Sequence, residues 1–426
     1  MVNPPGTARS APEQAVILAG GLGTRLGTLT ADVPKPLLEV NGRPFVDYLV
    51  DDAVRFGFCE ILLLAGYRSE QIARYVESKR RRLPQGVSLD LVAEPIPLGT
   101  AGAVHHAADR LAERFLLLNG DSLLDANWLD LVPAAASGAL ITVALRRSAD
   151  TSRYGLVKAE GERIVEFAAR GDETAGLINA GVYLVDRRIV LEFPAEGSLE
   201  QTVLPELATR GLVSGRIYEG FFVDIGVPAT LAAAQSTLLR QRKKAAVFFD
   251  RDGTLVVDQG YIHRPEELVF QHGAVAAVKS VNDRGMYAFL VTNQAGVAKG
   301  YFTEVDVQGF NSELQRRLRA AGAHLDDIRY CPYHPDGTAE PYRRSSDWRK
   351  PAPGMLLDLL RRWPVIKQSS VVVGDKEIDL HAADAAGLKG VLYQGGDLDT
   401  FLAPYLELAS RQPVAIVGSC DTLSQL

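Results

Sequence analysis

Val247-Phe-Phe-Asp-Arg-Asp-Gly-Thr-Leu-Val-Val257 sets an apolar run against two aspartates and a glycine. Val247, Phe248 and Phe249 suit a buried strand of a parallel sheet, and Gly253 ends it. Asp250 and Asp252 stand two residues apart, so both can reach one phosphate at the carboxyl end of that strand. The pair suits an aspartyl-phosphate mechanism, in which Asp250 attacks phosphorus while Asp252 protonates the leaving oxygen and later activates water. Adjacent carboxylates repel each other, so a metal ion is expected between them and the phosphate, with Asp250 and Asp252 among its ligands. A bare Asp-x-Asp-Gly is also an ordinary acidic turn. The stretches that follow decide between the two.

Phe289-Leu-Val-Thr-Asn293 is a second apolar strand, ending in a hydroxyl, Thr292, that can bind a phosphate oxygen. Arg349-Lys-Pro351 supplies a cation, and Val371-Val-Val-Gly-Asp-Lys-Glu-Ile-Asp379 is a third strand ending in carboxylates. Asp375 is the natural metal ligand there, with Asp379 one helical turn on in support. These four stretches together resemble the haloacid dehalogenase superfamily of phosphatases. Within it, Asp250-Arg-Asp-Gly-Thr254, Gly260-Tyr-Ile-His263, Thr292-Asn-Gln-Ala-Gly-Val297 and Cys331-Pro-Tyr-His-Pro335 resemble the D-glycero-D-manno-heptose 1,7-bisphosphate 7-phosphatases. The resemblance covers about residues 245 to 400. It implies Asp250 as nucleophile, Asp252 as acid and base, Thr292, Asn293 and Lys350 around the phosphoryl group, and Arg349 on the substrate.

Many members of that family carry a zinc site built from Cys-x-His and Cys-x-Cys. Here the two arms read Cys331-Pro-Tyr333 and Ser346-Asp-Trp348. A structural zinc normally takes four nitrogen or sulfur ligands, so no zinc is expected, and packing of Tyr333 and Trp348 is expected to hold the loop instead.

Towards the amino terminus, Ala15-Val-Ile-Leu18 is a short buried strand running into Ala19-Gly-Gly-Leu-Gly-Thr-Arg-Leu26. Strand, glycine turn and helix make a phosphate-binding arrangement: Gly20, Gly21, Gly23 and Thr24 let backbone amides approach, and Arg25 adds charge. The turn is neither a dinucleotide fingerprint, since Leu26 stands where the third glycine belongs, nor a P-loop, since no Gly-Lys-Ser/Thr follows. Pro34-Lys-Pro-Leu37 fixes a loop that aims Lys35 at the same phosphates. This pairing resembles the sugar-phosphate nucleotidyltransferases. The resemblance implies a base-binding loop at Ala93-Glu-Pro-Ile-Pro-Leu-Gly-Thr-Ala-Gly102, with Glu94 and Gly99 near the base. Phe115-Leu-Leu-Leu-Asn-Gly-Asp121 and Phe221-Phe-Val-Asp-Ile-Gly226 bring Asp121 and Asp224 to strand ends, where they can share magnesium with a nucleoside triphosphate.

Between these aspartates, Tyr154-Gly-Leu-Val157, Ile164-Val-Glu-Phe167 and Ile178-Asn-Ala-Gly-Val-Tyr183 are expected as three short strands of a sugar pocket. The resemblance places Asn179 on the sugar. It also puts Arg170, in Ala169-Arg170, where relatives carry a lysine on the sugar phosphate. Pro228 to Arg242 reads as a helix, and Arg240-Gln-Arg-Lys-Lys244 as its solvated end and a linker. Val414-Ala-Ile-Val417 is expected as a short strand in a tail without identifiable chemistry.

At 426 residues the chain exceeds one ordinary core, and its apolar content of 47% is that of a globular protein. A net charge of -6 gives no broad basic surface, so composition offers nucleic acid no electrostatic support. The three cysteines, Cys59, Cys331 and Cys420, form no paired spacing, which fits a reducing compartment. No signal-peptide core or membrane-spanning run is present, and a cytoplasmic protein with no membrane partner is expected. A homo-oligomer is compatible with all of this.

Both halves alternate buried strands with helices. Two Rossmann-like three-layer α/β/α domains with mainly parallel sheets are therefore expected, over residues 1–242 and 243–426, each using magnesium. Placed together, the halves resemble a heptose 7-phosphatase fused to a D-glycero-D-manno-heptose 1-phosphate guanylyltransferase. That implies GTP and a phosphorylated sugar as substrates. Two other readings stay open: a hexose 1-phosphate nucleotidyltransferase fused to a phosphatase of another small ester such as histidinol phosphate, and a non-catalytic sensor of sugar nucleotides. A sensor has no need of a phosphatase nucleophile.

Overall fold

The computed structural model describes residues 11–134, 138–149, 151–152, 154–168 and 175–411. Arg170 and the strand expected at residues 414–417 lie outside them. The chain divides into two compact units, the first comprising Met1–Arg242 with Arg316–His324, the second Lys243–Gln315 with Leu325–Leu426.

In the first unit the strands are β1 Gln14–Leu18, the short hairpin β2 Glu39–Val40 and β3 Arg43–Pro44, β4 Glu60–Ala65, β5 Ser88–Ala93, β6 Arg114–Asn119 and β7 Ser122–Leu124. After these come β8 Ile141–Ser148, β9 Val157–Glu160, β10 Arg163–Phe167, β11 Gly176–Asp186, β12 Val213–Tyr218 and β13 Phe222–Asp224. Nine of them form one sheet in the order β5-β4-β1-β6-β11-β8-β12-β10-β9. Its first four strands run parallel, as a nucleotide-binding sheet does. Contrary to the mainly parallel expectation, the sheet is mixed: β11 runs against both β6 and β8. Alternate residues feed opposite faces, with Ala15 and Ile17 in one core cluster and Val16 in the other. That separation of two cores by one sheet is the three-layer arrangement.

Three local expectations change. Tyr154 precedes β9 rather than beginning it. The helix after the glycine turn is a 3-10 helix, Thr24–Thr30, broken at Gly27, whose φ of 59 and ψ of -125 are non-helical. The run Arg240–Lys244 is not wholly a solvated helix end, because Arg242 donates to both carboxylate oxygens of buried Asp52 at 3.0 and 2.7 Å.

The second unit has a five-stranded, fully parallel sheet built from β14 Ala246–Phe249, β15 Tyr287–Asn293, β16 Asp327–Cys331, β17 Val371–Gly374 and β18 Lys389–Leu392. Its order, β16-β15-β14-β17-β18, puts the strand that carries Asp250 in the centre. Phe248 and Phe289 meet on one face with ring centroids 5.1 Å apart, and Trp363 lies 5.5 Å from Phe289. Phe289→Ala removes a fully buried ring from this cluster and should destabilise the second unit by about 3–5 kcal/mol. Urea unfolding followed through Trp363 fluorescence measures it. A loss below about 1 kcal/mol would show that the cluster does not carry the sheet.

Candidate active sites

In the first unit, β1 delivers the chain into the glycine loop. A Cβ on Gly20 would collide with the Glu94 carboxylate and stand 2.9 Å from the Gly66 nitrogen, so only glycine fits. Glu94 accepts the Leu98 N–H at 2.9 Å, and burial pushes its carboxyl above the usual range. Gly99, at φ +76, opens the helix Gly99–His106 with its Cα against the Gly197 carbonyl.

Two short strands bring the distant aspartates together. β7 and β13 pair antiparallel with Ser122 opposite Asp224, and the Ile225 N–H donates to the Asp121 carbonyl at 2.8 Å. Buried Lys35 donates to Asp121. Asp224 accepts the Gly226 N–H at 2.7 Å through one oxygen and the Tyr154 hydroxyl through the other. A Cβ on Gly226 would approach Lys35 Nζ to 3.3 Å and Arg25 Nη2 to 3.4 Å, so both cations and the Asp224 carboxylate gather around Gly226.

A cavity of about 430 Å³ is lined by Gly20, Gly21, Gly23, Thr24, Arg25, Lys35, Glu94, Gly99 and Asp121. A second, of about 730 Å³, is lined by Tyr154, Asn179, Phe222 and Asp224. Arg25, Asn119, Asp121 and Glu200 line both, so the two are lobes of one cleft with cations and carboxylates at the join. Volumes of this order suit small-molecule ligands. Asn179 is held in place by donating to Tyr183 at 2.7 Å and accepting from the Gly181 N–H at 2.9 Å. Sequence reasoning missed Tyr154 as a partner of Asp224 and missed Glu200 entirely. Glu200 accepts from Thr100 at 2.8 Å and Ser198 at 3.2 Å, on a π-helical turn with no strand-end or glycine signal.

In the second unit, Asp250 sits buried just past β14, its N–H bonded to Val373 at 2.9 Å. The buried Lys350 ammonium reaches Asp250 at 2.8 Å, Asp379 at 2.6 Å and the Val291 carbonyl at 3.0 Å. Burial works to lower the lysine's pKa, but the two carboxylates outweigh it and hold it above the ordinary value. Asp250, Asp375 and Asp379 have carboxylate oxygens within 4.8 Å of one another, a grouping that could hold a metal ion. Asp375 Oδ1 is buried without a hydrogen-bond partner, and burial raises that carboxyl. An oxygen-only donor set with one orphaned oxygen fits a hard divalent cation.

Two of the expected site residues have protein partners of their own. Asp252 is outside this carboxylate group; its side chain turns to Arg251 and Gln294. Asn293 gives both ends of its amide to the Lys350 backbone, at 3.0 and 3.1 Å, and so fastens the lysine loop instead of facing a ligand. Thr292 is buried and accepts from Gln294 at 2.9 Å. Arg349 is half-buried with Nη1 unpartnered, which suits an anionic ligand. In the neighbouring loop, Tyr333 and Trp348 pack on the cluster that contains Cys331, and Arg344 lies over the Tyr333 ring at 3.9 Å.

Residues 14–241 match the nucleotidyl transferase family, and residues 347–423 match a HAD-hydrolase-like family. The chain belongs to the nucleotidyl transferase family over its first half and to the HAD-like phosphatases over its second, and it joins nucleotidyl transfer to phosphomonoester hydrolysis. A D-glycero-beta-D-manno-heptose-1,7-bisphosphate 7-phosphatase of Rhodopseudomonas palustris is 40% identical over 173 residues, 41% of this chain and 96% of that protein. A D-glycero-alpha-D-manno-heptose 1-phosphate guanylyltransferase of Campylobacter jejuni is 31% identical over 217 residues, 50% of this chain and 95% of that protein. The crystal structure of HddC from Yersinia pseudotuberculosis complexed with GMP-PN is 28% identical, with a TM-score of 0.47, covering 53% of this chain and 99% of that one.

Gly253, at φ +88, has its Cα against the Asp375 carboxylate, which a Cβ would strike. Gly253→Ala should therefore displace Asp375 and lower phosphatase kcat by about 100-fold while leaving nucleotidyl transfer unchanged. Phosphate-release and pyrophosphate-release assays on the same preparation check this. Undiminished phosphate release would remove Asp375 from the site.

Proposed function

We propose that this chain removes the 7-phosphate of D-glycero-D-manno-heptose 1,7-bisphosphate and then transfers GMP from GTP to the resulting heptose 1-phosphate, forming GDP-heptose and pyrophosphate. The observation that carries this is the pairing itself: one relative's named substrate yields, on losing its 7-phosphate, the kind of acceptor that the other relative is named for.

In the phosphatase site, Asp250 attacks phosphorus and the ester oxygen leaves with the proton of Asp252. Water then attacks the aspartyl phosphate, returns a proton to Asp252, and regenerates the Asp250 carboxylate as phosphate departs. Lys350 and Thr292 hold phosphoryl oxygens, and Arg349 takes the remainder of the substrate. Asp250 and Asp375 would hold magnesium, which neutralises phosphoryl charge when bound. In the transferase cleft the sugar phosphate oxygen attacks the α-phosphorus and pyrophosphate leaves, with Arg25 and Lys35 stabilising charge. Glu94 and Gly99 lie by the base, Asn179 by the sugar, and Asp121 and Asp224 would hold magnesium.

Transfer breaks a bond to phosphorus and never the bond at the anomeric carbon. The anomer that the phosphatase releases is therefore the anomer of the product, yet the two relatives are named for different ones. Halves that act in sequence share one configuration, and we assign the α, the anomer for which the guanylyltransferase relative is named. With α-bisphosphate and GTP, intact protein should release phosphate and pyrophosphate. The β-anomer should give pyrophosphate at least about tenfold more slowly. Asp250→Asn should abolish phosphate release yet restore full transfer when heptose 1-phosphate is supplied, and Asp224→Asn should do the reverse. Inactivity of intact protein with heptose 1-phosphate and GTP would overturn the assignment. Elemental analysis of dialysed protein should find no stoichiometric zinc, and one zinc per chain would implicate Cys331 and His334.

A further inference from the structure

Between Asp250 and Asp252 lies an arginine that the mechanism above does not use. Arg251 is 1% exposed, with its guanidinium over the Phe310 ring at 4.5 Å. Its Nε donates to Asp252 Oδ1 at 2.9 Å, and its Nη2 lies 3.1 Å from Asp252 Oδ2, 3.1 Å from the Ile262 carbonyl and 3.0 Å from Gln294 Oε1. Gln294, itself buried, has Nε2 at 2.9 Å from both Asp252 Oδ2 and Thr292 Oγ1.

The direction of every one of these bonds is forced. A guanidinium only donates, so the amide group facing Arg251 must be the oxygen of Gln294. Its nitrogen therefore faces Asp252 and Thr292 and donates to both. Thr292 Oγ1, already accepting, keeps its own proton for a phosphoryl oxygen. Nη2 has two protons for its three acceptors: one completes the fork with Nε on Asp252, and the other is shared by the Ile262 carbonyl and Gln294. Asp252 Oδ2 thus has two donors, whereas Oδ1 has only Arg251 Nε and retains a lone pair.

We infer that Arg251 and Gln294 are positioning residues that orient Asp252, leave Oδ1 as the oxygen that carries its transferable proton, and turn the Thr292 hydroxyl toward the phosphoryl group. The inference rests on the reading of Asp252 as general acid. Neither residue touches the reacting atoms. Both act through Asp252 and Thr292, and the buried arginine keeps the amide from flipping.

A leaving group that departs without a proton separates this role from simple structural support. The test uses the full chain, p-nitrophenyl phosphate and phenyl phosphate, and acid-quenched measurement of aspartyl-phosphate formation in the first turnover. Phenolate is the poorer leaving group and needs the proton more. Gln294→Glu has the same shape and still accepts from Arg251, but it cannot donate to Asp252 or Thr292. Gln294→Leu removes the donors without adding charge. Both variants should raise the p-nitrophenyl to phenyl rate ratio by about tenfold or more, as should Asp252→Asn, a range set by general-acid contributions of about 10²–10⁴. Trp363 fluorescence of the same preparations reports that the phosphatase unit is folded. If Asp252→Asn leaves the ratio unchanged, the general-acid reading fails and this inference fails with it. If Asp252→Asn raises the ratio but both Gln294 variants keep the wild-type value, only the positioning role is overturned.

Discussion

A buried ammonium between carboxylates organises the phosphatase unit. Asp250 follows β14, and Asp379 lies in the first turn of the helix Glu377–Ala385 after the neighbouring parallel strand β17; without Lys350 they would face each other in a low-dielectric interior. Removing one partner from such a group leaves an uncompensated buried charge, a loss of about 3–5 kcal/mol. Much of the surrounding structure serves to keep the lysine in place: Asn293 grips its backbone, and the Val291 carbonyl takes a bond from its ammonium. The transferase unit uses the same pairing in a more open form, with Lys35 on Asp121, whose side chain is about a third exposed.

These pairings come from strand ends, which is why so much was legible from sequence. An apolar run followed by Asp reads as a parallel strand carrying a carboxylate to its C-terminal edge, and Asp121, Asp224, Asp250 and Asp375 were all found that way. The glycine loop was equally legible, because Gly20 and Gly99 are positions where a Cβ meets another group directly.

What was not legible follows from long-range register. Nothing local in Gly176–Asp186 says that β11 must run against β6 and β8; the direction is set by pairing with strands far away in sequence. Glu200 sits on a turn whose sequence carries no period, and it matters only because both lobes of the cleft reach it. The resemblance put Asn293 by the phosphoryl group, and alternation along the strand turns its side chain to the lysine loop. Arg242 looked solvated because it lies within a basic run at a helix end, and only the fold supplies Asp52.

The two sites also differ in what they leave unsatisfied. In the transferase cleft each aspartate already has protein donors: Lys35 on Asp121, and the Gly226 amide and Tyr154 hydroxyl on Asp224. In the phosphatase site Asp250 and Asp379 share one fully buried lysine, while Asp375 keeps an oxygen with no donor. Burial and the neighbouring Asp250 raise both the Asp375 and Asp379 carboxyls, a crowding of like charge that a divalent cation would relieve. The exposed Lys376, 3.5 Å from Asp375, offsets little of this because solvent screens it. A divalent cation bound there would find part of its counter-charge in the protein before substrate arrives. In the transferase cleft, where Asp121 and Asp224 already have protein donors, such an ion would depend more on the anionic oxygens a triphosphate brings.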